Sequence, residues 1–203
     1  YETEKRMKNT SIRIDPLTGA LGAVVHGVNL AEPMDDATFE QVNQAFLEHC
    51  VIFFRQQHLD PDQHKRFAAR FGALNIHPYI AGLPDHPEVM EFVKEPAETG
   101  YNLGGKWHSD TTFLDTPALG SVLYAHEVPP SGGDTIFANT YRAYESLSPA
   151  MQDMLGKLRA VHSSAGSYGK GGNFDRNRDK GQGSMAIDLD EASTREASHP
   201  VIR

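Results

Sequence analysis

The chain is 203 residues long, enough for one domain with a sizeable core and too short for a multi-domain machine. Nineteen Lys and Arg against 27 Asp and Glu give a formal charge of −8, the wrong sign for a protein that lives on phosphate backbones or anionic lipid, so no nucleic-acid and no membrane partner is expected. Apolar runs stay far below the about 20 residues that a membrane helix needs, the start Tyr1 to Thr10 is charged and polar rather than signal-like, and a soluble cytoplasmic protein is expected.

In chain order, Ser11 to Asp15 alternates polar and apolar residues and predicts a short strand, followed by a turn at Pro16, Gly19 and Gly22 and a second strand over Ala23 to Val28. Asp35 or Asp36 can cap a helix whose apolar positions Phe39, Val42, Phe46 and Cys50 recur at helical spacing. Val51 to Phe54 reads as a buried strand. Asp60-Pro61-Asp62-Gln63 then combines an N-cap, a proline at the first helical position and a Gln at the third, with Phe71-Gly72 closing that helix. Val89 to Val93, Leu119 to Val128 and Thr135 to Ala138 predict strands, the last after the turn Ser131-Gly132-Gly133-Asp134. Ser148-Pro149 starts a helix to about Leu158, and Leu158 to Ser163 is strand-like. Between Gly166 and Gly183 six glycines interleave with polar and charged residues, which predicts a mobile loop or a lid. Mixed short strands and helices with glycine turns point to an α+β fold with a β-sandwich or barrel at its centre. The chain begins at Tyr1 rather than Met and stops at Arg203 just after an extended segment opens, so a fragment of a longer chain is expected.

The stretch Trp107-His108-Ser109-Asp110-Thr111-Thr112-Phe113 carries the chemistry. His108 and Asp110 are two residues apart, so on an extended backbone both side chains leave one face and can meet one metal ion. A His and a carboxylate from one strand with a second His from elsewhere make the facial triad of non-haem Fe(II) oxygenases. The lone cysteine, Cys50, cannot form a thiolate cage, so His, Asp or Glu must hold any metal. Spacing alone is weak, since His58-Leu59-Asp60 repeats it and Asp60 already serves as an N-cap. The context adds weight: the only Trp precedes His108, Gly104 and Gly105 lead in, and an apolar-aromatic segment follows.

These residues resemble the taurine dioxygenase family of Fe(II)- and 2-oxoglutarate-dependent dioxygenases, which includes alkylsulfatase-like and aryloxyalkanoate dioxygenase-like members. The resemblance runs from Gly19-Ala20-Leu21-Gly22-Ala23 and Gly27-Val28-Asn29-Leu30 through Val51-Ile52-Phe53-Phe54-Arg55, Arg70-Phe71-Gly72, Ile76-His77-Pro78 and the His108 to Phe113 segment. It continues through Gly132-Gly133-Asp134-Thr135 to His199-Pro200-Val201-Ile202-Arg203. It implies a single oxygenase domain over 1–203 with a double-stranded β-helix, or jelly-roll, core and flanking helices, incomplete at its C-terminal end. It also implies His108 and Asp110 as catalytic iron ligands and Thr135 as the residue binding the 2-oxoglutarate carboxylate. His77, Thr111, Phe113 and Tyr168 fall at substrate positions, while Gly104 stands where taurine dioxygenase has a substrate-contacting Asn. The second metal His and the Arg that pairs 2-oxoglutarate are implied beyond Arg203. His162, with His126 and His199 behind it, is the substitute ligand to examine within the chain.

The implied reaction uses Fe(II), 2-oxoglutarate and O2 to hydroxylate a small organic anion, a sulfonate, alkyl sulfate or aryloxyalkanoate, releasing succinate and CO2. A homo-oligomer is expected, and Arg176, Arg178 and Lys180 are candidates for capturing the anion. Two alternatives remain open: a non-catalytic jelly-roll small-molecule-binding protein without iron, and a zinc hydrolase, although no His-Glu-x-x-His motif is present.

Overall fold

The structure, a computed structural model, describes residues 12–95, 104–176, 187 and 194–203. The chain divides into two compact units, one formed by Tyr1–Phe71 and Leu123–Leu147, the other by Gly72–Val122 and Ser148–Arg203.

The first unit is built on a three-stranded sheet in the order β1-β2-β3, with β1 at Arg13–Pro16, β2 at Ala23–His26 and β3 at Ile52–Phe53. β1 and β2 are antiparallel, Ile14 facing Val25, and the loop between them closes by the Leu17 amide donating to the Gly22 carbonyl at 2.8 Å. Gly22 sits at φ +90°, where a side chain is strained, so the glycine read as turn punctuation is required by backbone geometry. Helix α1, Asp36–His49, crosses from β2 to β3, and the latter pair is parallel, as such a crossover demands. Asp35 caps α1 by accepting from the Thr38 amide, and the helix buries Val42 and Ala45. Cys50 does not continue the helix: it adopts φ +64° as the cap residue and turns the chain straight into β3.

Helix α2, Pro61–Ala68, carries the capping box in full, with Asp60 accepting from the Gln63 amide and the Gln63 side chain accepting from the Asp60 amide. It ends at Ala69, short of Phe71, whose ring receives the edges of Phe39, Phe46 and Phe67 at 5.0–5.7 Å. A helix absent from the sequence reading, α3 at Thr140–Glu145, is capped by Asn139 and tied to the β1–β2 loop: Asn139 Nδ2 donates to the Ala20 carbonyl and Arg142 to that of Gly19.

In the second unit α4, Pro149–Gly156, starts as expected from Ser148 and leads into β4, Arg159–Ser163. β4 pairs antiparallel with β5, Glu196–Pro200, so that Ala160 faces His199 and His162 faces Ala197. Between them lie two four-residue helices, α5 at Ala165–Tyr168 and α6 at Asn173–Arg176. The segment expected to lack order thus holds two helical turns over its first half. Residues 177–183, with Arg178 and Lys180, lie outside the described residues.

Three expected strands are corrected. Val89 to Val93, Leu119 to Val128 and Thr135 to Ala138 form no strand among the described residues. A strand exists only where a neighbour accepts and donates along its length, and none of the three has such a ladder. Leu119, Leu123, Val128, Ile136 and Phe137 on these segments are exposed, while Val89 and Val122 are half-buried.

Replacing Asp60 by Ala removes one arm of the capping box and frees the Gln63 amide, which costs about 1 kcal/mol. The urea midpoint should fall for Asp60→Ala and recover largely in Asp60→Asn; an unchanged midpoint in Asp60→Ala contradicts the cap.

Candidate active site

His108 and Asp110 lie on an irregular segment rather than a strand, yet their side chains meet: Nε2 of His108 is 3.2 Å from Oδ1 of Asp110. The correction concerns the backbone. Asp110 opens a turn in which Thr111 takes φ +51°. A β-branched residue in the left-handed region costs about 1–3 kcal/mol and persists only where its surroundings hold it. Here the Leu114 amide donates to the Thr111 carbonyl at 3.0 Å, and the Ala118 amide to Thr111 Oγ1 at 3.3 Å.

The tautomer of His108 follows from its other nitrogen. Nδ1 lies 2.7 Å from the Lys106 carbonyl, which only accepts, so Nδ1 carries the hydrogen. In the neutral ring Nε2 is then a bare lone pair aimed at a carboxylate oxygen. Two acceptors at 3.2 Å repel each other unless a proton or a cation joins them. Two cis ligands with bonds of about 2.1 Å stand about 3 Å apart on one metal, so the donor set and its spacing fit a divalent ion. Both side chains remain more than half exposed, 54% and 62%, which leaves the pair reachable. Ser121 Oγ donates to Asp110 Oδ2 at 3.4 Å. Gly104 sits at φ +70°, a backbone conformation that L side chains rarely adopt, and a Cβ there would only touch His108 Cε1 at 3.5 Å, an ordinary contact distance. Trp107 is exposed.

Among the described residues no group of three or more His, Cys, Asp and Glu is arranged to hold a metal. The substitutes named from sequence are engaged elsewhere. His162 Nδ1 shares a hydrogen bond with Thr112 Oγ1 at 3.0 Å, His199 Nε2 lies 3.0 Å from the carbonyls of both Thr112 and Leu114, and the His126 ring packs against Tyr124.

Three of the four substrate candidates come together. Tyr79, Tyr168 and Phe174 stack face to face, with centroids 4.4 and 5.0 Å apart. Phe113, buried, packs against Tyr79 and Tyr168, and His77 lies 5.5 Å from the Tyr168 ring and 6.3 Å from that of Phe113. The Tyr79 hydroxyl anchors the cluster to buried Ser164 at 2.9 Å. His77 Nδ1 accepts from the amides of Tyr79 and Ile80, which leaves the hydrogen on Nε2, 3.4 Å from the Tyr168 hydroxyl. Thr111 stays outside this cluster's ring contacts, its hydroxyl held by the Ala118 amide. Thr135 belongs to the other unit, exposed and outside regular structure. Sequence reasoning missed Thr112, Ser121, Tyr79 and Ser164. Their contacts join residues 11 to 85 positions apart, and no local pattern marks them.

Residues 13–203 match the family model described as "Taurine catabolism dioxygenase TauD, TfdA family". An alkylsulfatase of Acinetobacter baylyi is 35% identical over 159 residues, which are 78% of this chain and 49% of that protein. A (S)-phenoxypropionate/alpha-ketoglutarate-dioxygenase of Sphingobium herbicidovorans is 36% identical over 160 residues, 74% of this chain and 53% of the relative. The crystal structure of a taurine dioxygenase from Burkholderia xenovorans superposes with a TM-score of 0.65 at 37% identity, covering 75% of this chain and 53% of the other. The chain spans about half the length of the curated relatives it matches.

Burial holds the His77 imidazole below its ordinary value of 6.5, with the charge of Asp110 opposing the shift. On acidification the unfolded chain therefore binds a proton at this site first, and His77 subtracts stability as pH falls through 6.5 toward its depressed value. In an NMR titration of the metal-free protein, His77 should titrate below 6.5 and move further down in Asp110→Asn; an upward move contradicts the assignment.

Proposed function

The chain belongs to the TauD, TfdA family, and on that premise we propose that it acts as an Fe(II)- and 2-oxoglutarate-dependent dioxygenase on a small organic anion: a sulfonate, an alkyl sulfate or an aryloxyalkanoate. The observation that carries the reading is the His108–Asp110 pair, whose two acceptor atoms stand at the spacing of neighbouring ligands on one divalent ion. The relatives named as an alkylsulfatase and a phenoxypropionate dioxygenase support the substrate range. The same reading takes residues 1–203 as one oxygenase domain with a jelly-roll core.

His108 and Asp110 would hold the metal. When bound, iron and 2-oxoglutarate supply oxidative decarboxylation to succinate and CO2 coupled to hydroxylation of a substrate C–H, which beside a sulfate, sulfonate or ether oxygen gives an adduct that collapses to a carbonyl compound. The chain's own residues do the rest. The Lys106 carbonyl fixes the ring of His108 with its Nε2 lone pair outward, and Ser121 engages the second oxygen of Asp110. His77, held neutral with a hydrogen on Nε2, offers a donor to an anionic head group. Phe113 and Tyr168 form an apolar wall that keeps water from the substrate. Thr135 is assigned to the 2-oxoglutarate carboxylate by its family position.

The test is substrate-dependent succinate release by the protein containing these 203 residues, assayed with Fe(II) and 2-oxoglutarate across alkyl sulfates, sulfonates and aryloxyalkanoates. His108→Ala and Asp110→Ala should each abolish iron binding and turnover. Retained turnover in either variant removes that residue from the ligand set. A wild-type protein with neither bound metal nor turnover is instead a binding protein.

A further inference from the structure

We propose that His199, with His162 beside it, is a positioning residue that fastens the turn carrying Asp110 in the shape that returns this carboxylate to His108. The proposal rests on the reading of His108 and Asp110 as metal ligands and adds a part that this ligand set does not contain.

The two imidazoles stand on one face of the β4–β5 ladder. Ala160 faces His199 and His162 faces Ala197, so all four side chains project to the same side, with the two alanines leaving room for the two rings. The ring centroids are 5.4 Å apart, and both histidines are half-buried. What they meet is the segment just past Asp110. His199 Nε2 stands 3.0 Å from the carbonyl oxygens of Thr112 and Leu114. Carbonyls only accept, so Nε2 carries the hydrogen and shares it between them. His162 Nδ1 shares a hydrogen bond with Thr112 Oγ1 at 3.0 Å. Thr112 is therefore held by both its main chain and its side chain.

Thr111 is the reason such fastening is needed. It sits between Asp110 and Thr112 with φ +51°, a conformation that a β-branched residue leaves unless its neighbours are fixed. Its carbonyl and hydroxyl accept from the Leu114 and Ala118 amides, which close the turn from within. Those bonds are local and travel with the turn. The imidazoles come from strands 50 and 85–87 residues away in sequence and tie the turn to a second, rigid element. Relaxation of Thr111 would swing Asp110 away from His108, separating the two donor atoms.

Two variants of His199 separate positioning from bulk. His199→Phe keeps a ring of similar size without the N–H, and His199→Gln restores an N–H at the position of Nε2. Mn(II) affinity of the protein containing this chain and amide exchange at Leu114 in its metal-free form are the readouts. His199→Phe should weaken Mn(II) binding by about ten- to a hundredfold and speed exchange at Leu114, with His199→Gln restoring both. Wild-type affinity and exchange in His199→Phe overturn the proposal, as does a loss that His199→Gln does not rescue. If His199→Phe fails to fold, Thr112→Val, which removes only the hydroxyl shared with His162, should weaken Mn(II) binding and speed exchange to a smaller degree; no change in it overturns the proposal. Mn(II) binding that survives Asp110→Ala defeats the ligand reading instead, and the exchange at Leu114 then decides the fastening by itself.

Discussion

An imidazole nitrogen and a carboxylate oxygen 3.2 Å apart need a positive charge between them, because the other imidazole nitrogen already donates to the Lys106 carbonyl. The turn after Asp110 is strained at Thr111, and a strained residue survives only where its neighbours leave it no alternative. The surrounding restraints are of two kinds. Amides of Leu114 and Ala118 close the turn on itself, and the face of β4 and β5 holds it from outside.

Phe113 links the turn after Asp110 to the candidate substrate wall. Three positions past Asp110, it is buried against Tyr79 and Tyr168, so the segment that presents the carboxylate also inserts a ring into the aromatic stack. The stack is in turn fixed to the end of β4, since the Tyr79 hydroxyl bonds Ser164, whose amide and hydroxyl pair with Arg195. His77 closes this arrangement. Its Nδ1 is occupied by two backbone amides, its Nε2 carries the hydrogen, and the charge of Asp110 reaches it strongly enough to oppose the effect of burial. Carboxylate, histidine and aromatic wall are thus coupled through packing and charge.

The first unit rests on different physics. Its sheet is short, and the cohesion comes from the α1 face that buries Val42 and Ala45 and from three phenylalanine rings meeting Phe71 edge to face. Arg70 adds a polar clasp, donating to the Met34 carbonyl and to Asp36 while lying 4.3 Å over the Phe39 ring. The first sheet and α1 hold their shape by burial; the turn after Asp110 holds its shape by directed hydrogen bonds, which fix the position of a side chain where burial alone does not.

By itself the sequence determined what neighbours along the chain can decide. Asp35, the Asp60 to Gln63 capping box and Ser148-Pro149 announce helix starts because a cap acts over three residues. Gly22 marks a turn because only glycine accepts its backbone angle easily, and the His108-x-Asp110 spacing exposes the candidate ligand pair. Only the tertiary structure decided which extended segments become strands. Leu119 to Val128 has the composition of one and no ladder among the described residues, whereas the β4–β5 ladder forms between segments more than thirty residues apart. It also decided the contacts of the histidines, making His162 and His199, candidates for a substitute ligand by sequence, hydrogen-bond partners of the turn after Asp110. The reason is common to both: strand pairing and side-chain contact are made between residues far apart in sequence, and no local pattern encodes which distant partner arrives.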